Sequence, residues 1–184
     1  MKQADGLLFT FDRNGNESTA LDLNGTFTSV PPGVYFKSAF TISVWINPKE
    51  VGNWSRVIDF GNGENSDNVV LAITDGLSFK PTLHVYISNR YLLVVNSMEQ
   101  IIQNNWQLLA ATFDGANGKI YINGKLTGSA SIQIQSLPRN IKRKYCFIGK
   151  SQWIQDDFSH SIISDLRIYN RCLSDDEILN LMKL

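Results

Sequence analysis

Two loops of the sequence are dense in side-chain oxygens. The first, residues 61–68, ends in Asp67 and Asn68, and the second, residues 151–158, includes Asp157. Hard cations such as Ca²⁺ take about six to eight oxygens from carboxylates, amides and carbonyls, so both loops are candidate cation sites. The alternative is that both are solvated turns, in which Asp and Asn are common because they hydrogen-bond to the nearby backbone.

A cluster of basic residues lies between positions 139 and 150. Its members are Arg139, Lys142, Arg143, Lys144 and Lys150. A local basic patch of this kind can recognise a sulfated glycan or a phosphate. The alternative is that the lysines protect an exposed sheet edge against pairing with another sheet.

Residues for covalent or acid–base catalysis are not arranged in a recognisable pattern. Glycan hydrolysis needs two carboxylates on either side of the scissile bond. The five glutamates do not form such a pair along the chain, and they are Glu17, Glu50, Glu64, Glu99 and Glu177. No serine or cysteine belongs to a recognisable nucleophile motif. The sequence therefore predicts that the protein is not an enzyme.

Trp54 and Trp153 differ from the other tryptophans because turn-forming residues surround them. An aromatic ring at such a position can be an exposed platform for a sugar. Trp153, which lies in the second acidic loop, is the better candidate.

The composition excludes several classes of function. The 184 residues carry 17 basic and 17 acidic side chains, a formal net charge of zero, which argues against a nucleic-acid binder that relies on a basic field. No apolar run approaches the ~20 residues of a membrane helix, and the first residues, MKQADG, do not have the pattern of a signal peptide. Cys146 and Cys172 fit no metal-binding spacing; they are either unpaired thiols or a single disulfide.

Alternation of apolar and polar residues with a period of two dominates the chain. In residues 40–46 the even positions are apolar, and Thr41 and Ser43 lie between them. The other runs of this kind are 56–60, 69–74, 83–88, 91–95, 108–113, 119–122 and 162–169. Turn signals separate them, and Asn123-Gly124 predicts a type I′ hairpin. Many short strands with such turns predict a sandwich of two antiparallel sheets.

One helix is predicted, at the C-terminal end of the chain. Ser174-Asp175-Asp176-Glu177 has the pattern of a capping box. Ile178, Leu181 and Met182 then form an apolar stripe, which should pack on the sandwich. We see no linker or repeat, so residues 1–184 are predicted to form a single domain.

Five blocks of the sequence, in order, resemble the laminin-G-like, concanavalin-A-like jelly-roll domains. They begin with Phe40-Thr-Ile-Ser-Val-Trp-Ile-Asn-Pro and Asn105-Trp-Gln-Leu-Leu-Ala-Ala-Thr-Phe-Asp-Gly, and continue at residues 118–125, 147–151 and 165–178. The resemblance implies an all-β, two-sheet antiparallel jelly roll with a short C-terminal helix and ligand-binding rim loops. It also implies an extracellular or cell-surface domain, and it places Trp45 and Trp106 in strand cores.

The resemblance also implies two calcium sites. The pair Asp67-Asn68 is similar to the calcium-ligating Asp-Asn pair of the pentraxins, and Gln152 and Asp157 lie in the loop that would complete this rim site. Asp165 is similar to the aspartate of a calcium site on the convex face of related glucanases. The alternative for Asp165 is a salt bridge to a neighbouring arginine or lysine.

Together these observations predict a non-catalytic recognition module of a larger multidomain protein. The expected ligand is a carbohydrate, with a sulfated glycan as one option, or an extracellular protein. We expect it to bind at the rim loops, with Ca²⁺ as a possible cofactor. The candidate ligand-binding residues are Asp67, Asn68, Gln152, Trp153, Asp157, Arg143 and Lys144, and the candidate metal ligands are Asp67, Asn68, Asp157 and Asp165. The alternatives are an adhesion or assembly domain without a small ligand and, third, the remnant of a glycan hydrolase.

Overall fold

The computed structural model describes residues 7–76 and 78–184. The first six residues, which are predicted not to have the pattern of a signal peptide, lie outside the described part of the chain. The described residues form a helix, α1 (Asp175–Asn180), a 3₁₀ turn (Leu181–Lys183) and strands β1 to β13. The strands are β1 (Leu8–Thr10), β2 (Ala20–Asp22), β3 (Thr28–Ser29), β4 (Phe40–Glu50), β5 (Arg56–Gly61), β6 (Val69–Ala72), β7 (Thr82–Ile87), β8 (Arg90–Asn96), β9 (Gln107–Phe113), β10 (Asn117–Ile122), β11 (Lys125–Ser131), β12 (Tyr145–Ile148) and β13 (His160–Tyr169).

The strands form two antiparallel sheets. The seven-stranded sheet has the order β1-β2-β13-β4-β9-β10-β11, and the six-stranded sheet has the order β3-β12-β5-β6-β7-β8. Neighbours such as β4 and β13 are far apart in sequence, because the chain crosses repeatedly between the sheets. The predicted two-sheet jelly-roll sandwich with a short C-terminal helix is therefore confirmed.

The core between the sheets follows from the alternation in the strands. In β4, Phe40, Ile42, Val44 and Ile46 are at most 1% exposed and belong to the cluster between the sheets. In the six-stranded sheet, the inward residues of β7 are Leu83 and Val85. The residues between them, on the opposite side of the pleat, therefore face outward.

The predicted hairpin is formed by β10 and β11. Asn123 and Gly124 both have positive φ, at 51° and 77°, as a type I′ turn requires, and Ile122 pairs with Lys125 across it.

Helix α1 covers part of the outer face of the seven-stranded sheet. The capping box is present: Ser174 accepts from the backbone of Glu177, and the Glu177 carboxylate accepts from the backbone of Ser174. Ile178 and Leu181 are buried in a second cluster with Trp45, and Met182 packs against it. The predicted apolar stripe is therefore confirmed.

The two cysteines are unpaired, with Cys146 buried and Cys172 partly buried, so the first of the two alternatives for them is confirmed. Among the described residues, no helix combines the length and the apolar character needed to cross a bilayer.

Candidate functional site

A pocket of about 160 Å³ lies on the outer face of the six-stranded sheet, and we call it the sheet pocket. Strands β5 to β8 form its floor, and the loop that follows β12 forms one wall. The lining residues are Trp54, Arg56, Val70, His84, Tyr86, Tyr91, Trp153, Gln155 and Asp156.

The register of the strands brings these side chains together. His84 and Tyr86 alternate with the inward-facing Leu83 and Val85 along β7, so they lie on the outer face. Val70 of β6 pairs with His84, and a register shift in β7 and β8 places Tyr91 opposite Tyr86.

An aromatic cluster makes up most of the wall of the sheet pocket. The rings of Tyr86 and Tyr91 have their centroids 4.4 Å apart, and that of Trp153 lies 5.9 Å from Tyr86. His84 is edge-on to Trp54 at 5.6 Å and to Tyr91 at 5.4 Å. Because Tyr91 is 58% exposed, part of this cluster is available to a ligand.

Two loops hold the tryptophans in place. Trp54 has a φ of 54°, a conformation that a bulky side chain rarely adopts and that is often found at functional sites. The turn that carries Trp54 is joined to the loop that carries Trp153 by Asp157. Asp157 Oδ2 accepts a hydrogen bond from the backbone N–H of Asn53 at 2.7 Å, and the backbone N–H of Asp157 donates to the Asn53 carbonyl at 3.0 Å.

An ion pair lies between the two tryptophans. Arg56 Nη2 donates to Asp156 Oδ2 at 2.7 Å, and both side chains are only 5% exposed. Arg56 Nη1 donates to the Trp54 carbonyl at 2.9 Å. The guanidinium carbon lies 5.2 Å from the ring centroid of Trp54 and 5.7 Å from that of Trp153. Arg56 Nε is buried and has no hydrogen-bond partner within the described residues.

Burial shifts the pKa values of the titratable groups here. It lowers the pKa of Arg56 and raises that of Asp156, and in each case the opposite charge of the partner opposes the shift. Burial and the nearby charge of Arg56 lower the pKa of His84 to about 4, so His84 is neutral at pH 7. A neutral imidazole has one hydrogen-bond donor and one acceptor.

Sequence reasoning placed one ligand-binding candidate in this pocket, Trp153, together with Trp54 as the weaker platform. It did not select Arg56, His84, Tyr86 or Tyr91. The alternation in residues 83–88 could have identified the two β7 side chains, because a polar or aromatic residue between two core residues faces outward. It gave no sign that the register would bring Arg56 and Tyr91 beside them.

The structure brings two of the other rim candidates together, because Asn68 and Gln152 both donate to Asp59, whereas the carboxylates of Asp67 and Asp157 have other partners. Asp67 is buried, and its carboxylate accepts from the backbone N–H of Ser88 at 2.8 Å and pairs with Arg139 at 3.1 Å. Asn68 is fully buried and donates to Asp59 at 2.9 Å, while its Oδ1 has no partner within the described chain.

Gln152 is also engaged inside the protein. Its backbone N–H and its Nε2 both donate to the fully buried carboxylate of Asp59, and its Oε1 accepts from the N–H of Gly63 at 2.7 Å. Burial raises the pKa of Asp59, and the hydrogen bonds from Asn68 and Gln152 oppose that shift. Gln152 therefore joins β5 to the loop after β12, and its amide is not free for a ligand.

Asp165 forms the salt bridge that was the alternative to a calcium site. It pairs with Arg167 at 2.6 Å, which is the predicted salt bridge to a neighbouring arginine. Within residues 7–76 and 78–184, no group of three or more His, Cys, Asp and Glu side chains is placed to hold a metal ion. Since Asp67, Asp157 and Asp165 have separate partners, the proposed ligand sets do not fit a calcium ion as they are arranged. Calcium binding stays a prediction from the sequence.

The basic patch needs a correction. Arg143 is fully buried. Its guanidinium donates to the carbonyls of Asp67 at 2.9 Å and Phe36 at 3.1 Å. Arg143 therefore cannot contribute to a surface site. Arg139, Lys142 and Lys144 are exposed, and Arg139 is paired with Asp67. Edge protection is not supported either, because β12 lies between β3 and β5.

Comparison with known families and structures agrees with this fold. The model of the family described as "Concanavalin A-like lectin/glucanases superfamily" matches residues 10–179. Among curated proteins, none matches the sequence.

Several solved structures resemble the chain. Domain 4 of AbnA, a GH43 extracellular arabinanase from Geobacillus stearothermophilus in complex with arabinotriose, is 20% identical with a TM-score of 0.80, covering 97% of this chain and 82% of that one. The CBM40 of a Ruminococcus gnavus IT-sialidase bound to α2,3-sialyllactose is 14% identical with a TM-score of 0.68, covering 85% and 96%. A heptameric SAP-like pentraxin from Limulus polyphemus is 10% identical with a TM-score of 0.66, covering 89% and 81%. At these identities the likeness shows the fold.

Proposed function

Because the chain belongs to the concanavalin A-like lectin/glucanase superfamily, we propose that it is a non-catalytic carbohydrate-binding module that holds a sugar in the sheet pocket. The observation that carries this proposal is the composition of that pocket: aromatic rings surround a buried Arg56–Asp156 ion pair.

A sugar has the matching chemistry. Its C–H faces are apolar and pack against aromatic rings, whose faces carry partial negative charge. Its hydroxyl groups both donate and accept hydrogen bonds, and the sheet pocket offers both kinds of partner in Arg56, His84 and Asp156. The volume of about 160 Å³ is below the ~300–1,000 Å³ of sites for drug-sized ligands, so we expect one sugar residue to enter.

The absence of catalysis is part of the proposal. Asp156 is the carboxylate among the lining residues, and hydrolysis by this route needs a second one across the bond. The nearby Asp59 is fully buried, and its oxygens accept hydrogen bonds from Asn68 and Gln152. It is therefore not available to activate a water or attack a sugar.

Two of the compared structures support a carbohydrate ligand, since one is in complex with arabinotriose and the other is bound to sialyllactose. Both are parts of larger enzymes, and one of those enzymes is extracellular. We propose on this basis that the chain is a domain of a secreted or cell-surface multidomain protein.

The test compares two exposed tyrosines on the same sheet. Tyr91 is in the sheet pocket, whereas Tyr145, which is 47% exposed, is on β12 outside it. We expect the wild type to bind at least one glycan on an array. By calorimetry, Tyr91→Ala should lose about tenfold in affinity, equivalent to about 1.4 kcal/mol, and Tyr145→Ala should stay within about twofold. No bound glycan, or an equal loss in both variants, would overturn the proposal.

A further inference from the structure

We infer that the sheet pocket takes a neutral, hydroxyl-rich sugar residue and rejects one that carries a carboxylate or a sulfate, because Arg56, the only cation among its described lining residues, is already paired with a carboxylate. This inference rests on the proposed function and adds the class of sugar. It depends on how Arg56 is bonded, on the charges around it, and on the acceptor that Asp156 keeps.

Both terminal nitrogens of Arg56 already donate a hydrogen bond within the protein. Arginine recognises carboxylate and sulfate groups most strongly through two parallel N–H bonds. In this pocket Arg56 Nη2 donates to Asp156 and Nη1 donates to the Trp54 carbonyl, at 2.7 and 2.9 Å. The third nitrogen, Nε, has no partner among the described residues but is itself buried, and the whole Arg56 side chain is only 5% exposed, so little of the guanidinium is open to an incoming anion.

The charges around the pair are negative. Asp59 lies close enough to Arg56 for its charge to act on the guanidinium, and Asp157 and Glu64 act in the same way on Asp156. Arg56 therefore has Asp59 near it in addition to its partner Asp156, and Asp156 has two further carboxylates near it. An anionic sugar would have to leave water and enter a region of like charge, which is costly for binding.

A hydroxyl group suits what remains. The hydrogen bonds that Asp156 accepts, from Arg56 and from the Ser151 hydroxyl, both end on Oδ2. Among the described residues, Oδ1 accepts no hydrogen bond and is left as an acceptor. A sugar hydroxyl can donate to it, whereas an ionised carboxylate or sulfate has no proton to donate.

The experiment measures the binding of matched oligosaccharides. The pairs are lactose and 3′-sialyllactose, galactobiose and digalacturonic acid, and N-acetyllactosamine and its 6-sulfate, supplemented by neutral hits from the array and their uronic-acid forms. We expect the neutral member to bind at least about tenfold more tightly, and its affinity to stay within about twofold between roughly 50 and 500 mM NaCl, because no net charge is neutralised on binding.

A pair in which the acidic member binds equally well or better would overturn this inference and leave the proposed function standing. If neither member of any pair binds, both this inference and the proposed function are overturned. These outcomes are therefore distinguishable with the wild-type protein alone.

A variant tests the cause of the selectivity. Asp156→Asn removes the partner charge of Arg56, so the ratio of neutral to acidic binding should fall at least about tenfold. Asp176→Asn, the same change at an exposed position of α1, should leave the ratio unchanged. An unchanged ratio in a folded Asp156→Asn protein would show that the ion pair does not set the selectivity.

Discussion

At the scale of single residues, two arginines with buried guanidinium groups have different roles. Arg56 lines the sheet pocket, where it pairs with Asp156. Arg143 lies inside the protein, where it bonds to the carbonyls of Asp67 and Phe36 and stacks near the Phe36 ring. The first is therefore placed to bind a ligand, and the second holds the start of β6 to the segment before β4.

The role of Arg143 can be separated from that of its exposed neighbour. Arg143→Met should lower the free energy of unfolding by about 2–4 kcal/mol, because two carbonyls lose their donor and the packing around Phe36 changes. Lys144→Met should change it by less than about 0.5 kcal/mol. Urea denaturation measures both. A similar small effect in the two variants would contradict the structural role.

His84 gives the protein a dependence on pH. Its folded-state pKa of about 4 is below the ordinary value of 6.5, so protonation favours the unfolded state. The stability that neutral His84 contributes is complete above pH 6.5 and is lost as the pH falls toward 4. Between pH 7 and 4.5, the wild type should lose roughly 2–3 kcal/mol relative to His84→Gln, which removes this titration. Parallel stability curves for the two proteins would rule out this assignment.

At the scale of elements, the sheet pocket depends on the contact between two loops. The turn of residues 52–55 and the loop of residues 151–158 each supply one tryptophan, and Asp157 joins them through Asn53. The strands supply the floor, whose geometry is fixed by the ladders of β5 to β8. The loops therefore determine whether the two tryptophans lie where a ligand can use both.

Asp157 should act through this loop contact. Asp157→Ala removes the acceptor for the Asn53 N–H and should weaken glycan binding about five- to tenfold, because the loops are less well ordered before binding. Asp157→Asn keeps an acceptor oxygen and should stay within about twofold. Calorimetry with an array-identified glycan measures both. A loss in the Asn variant as large as in the Ala variant would point instead to a need for the carboxylate charge.

At the scale of the whole molecule, the two outer faces of the sandwich differ. Helix α1 covers part of the seven-stranded sheet, where Ile178 and Leu181 bury Trp45. Most of the larger side chains on the β5–β8 face are aromatic or polar, and the pocket there is open. The molecule therefore has one outer face that its own helix partly covers and one outer face with a pocket available to a partner.

Calcium can be tested on the whole protein. An ion that binds the folded state at a hundredfold excess over its Kd adds about 2.7 kcal/mol, or roughly 5–10 °C in Tm for a domain of this size. Because Asp67 is paired with Arg139 and Asp165 with Arg167, we expect millimolar Ca²⁺ to move the Tm by less than about 1 °C and EDTA to leave glycan binding unchanged. A rise of several degrees that Asp67→Asn abolishes would instead establish the rim site.

The sequence by itself determined the features that depend on near neighbours. The alternation in residues 40–46, the Asn123-Gly124 turn and the Ser174–Glu177 capping box all appear in the structure as predicted. Each depends on contacts a few residues apart or on a period that repeats along one strand, so the pattern is visible in the sequence. The shortest strands, such as β3 with its two residues, carry too little alternation to be recognised.

Only the tertiary structure decided the site. Arg56 meets Asp156 across 100 residues, and Asp67 meets Arg139 across 72. Contacts of this range depend on strand register and on the path of loops, which sequence spacing does not fix. For the same reason, neighbours in a basic run have opposite environments: Arg143 is buried and Lys144 is exposed. The sequence supplied the aromatic and charged side chains, and the packing of the sheets and loops determined which of them form the pocket.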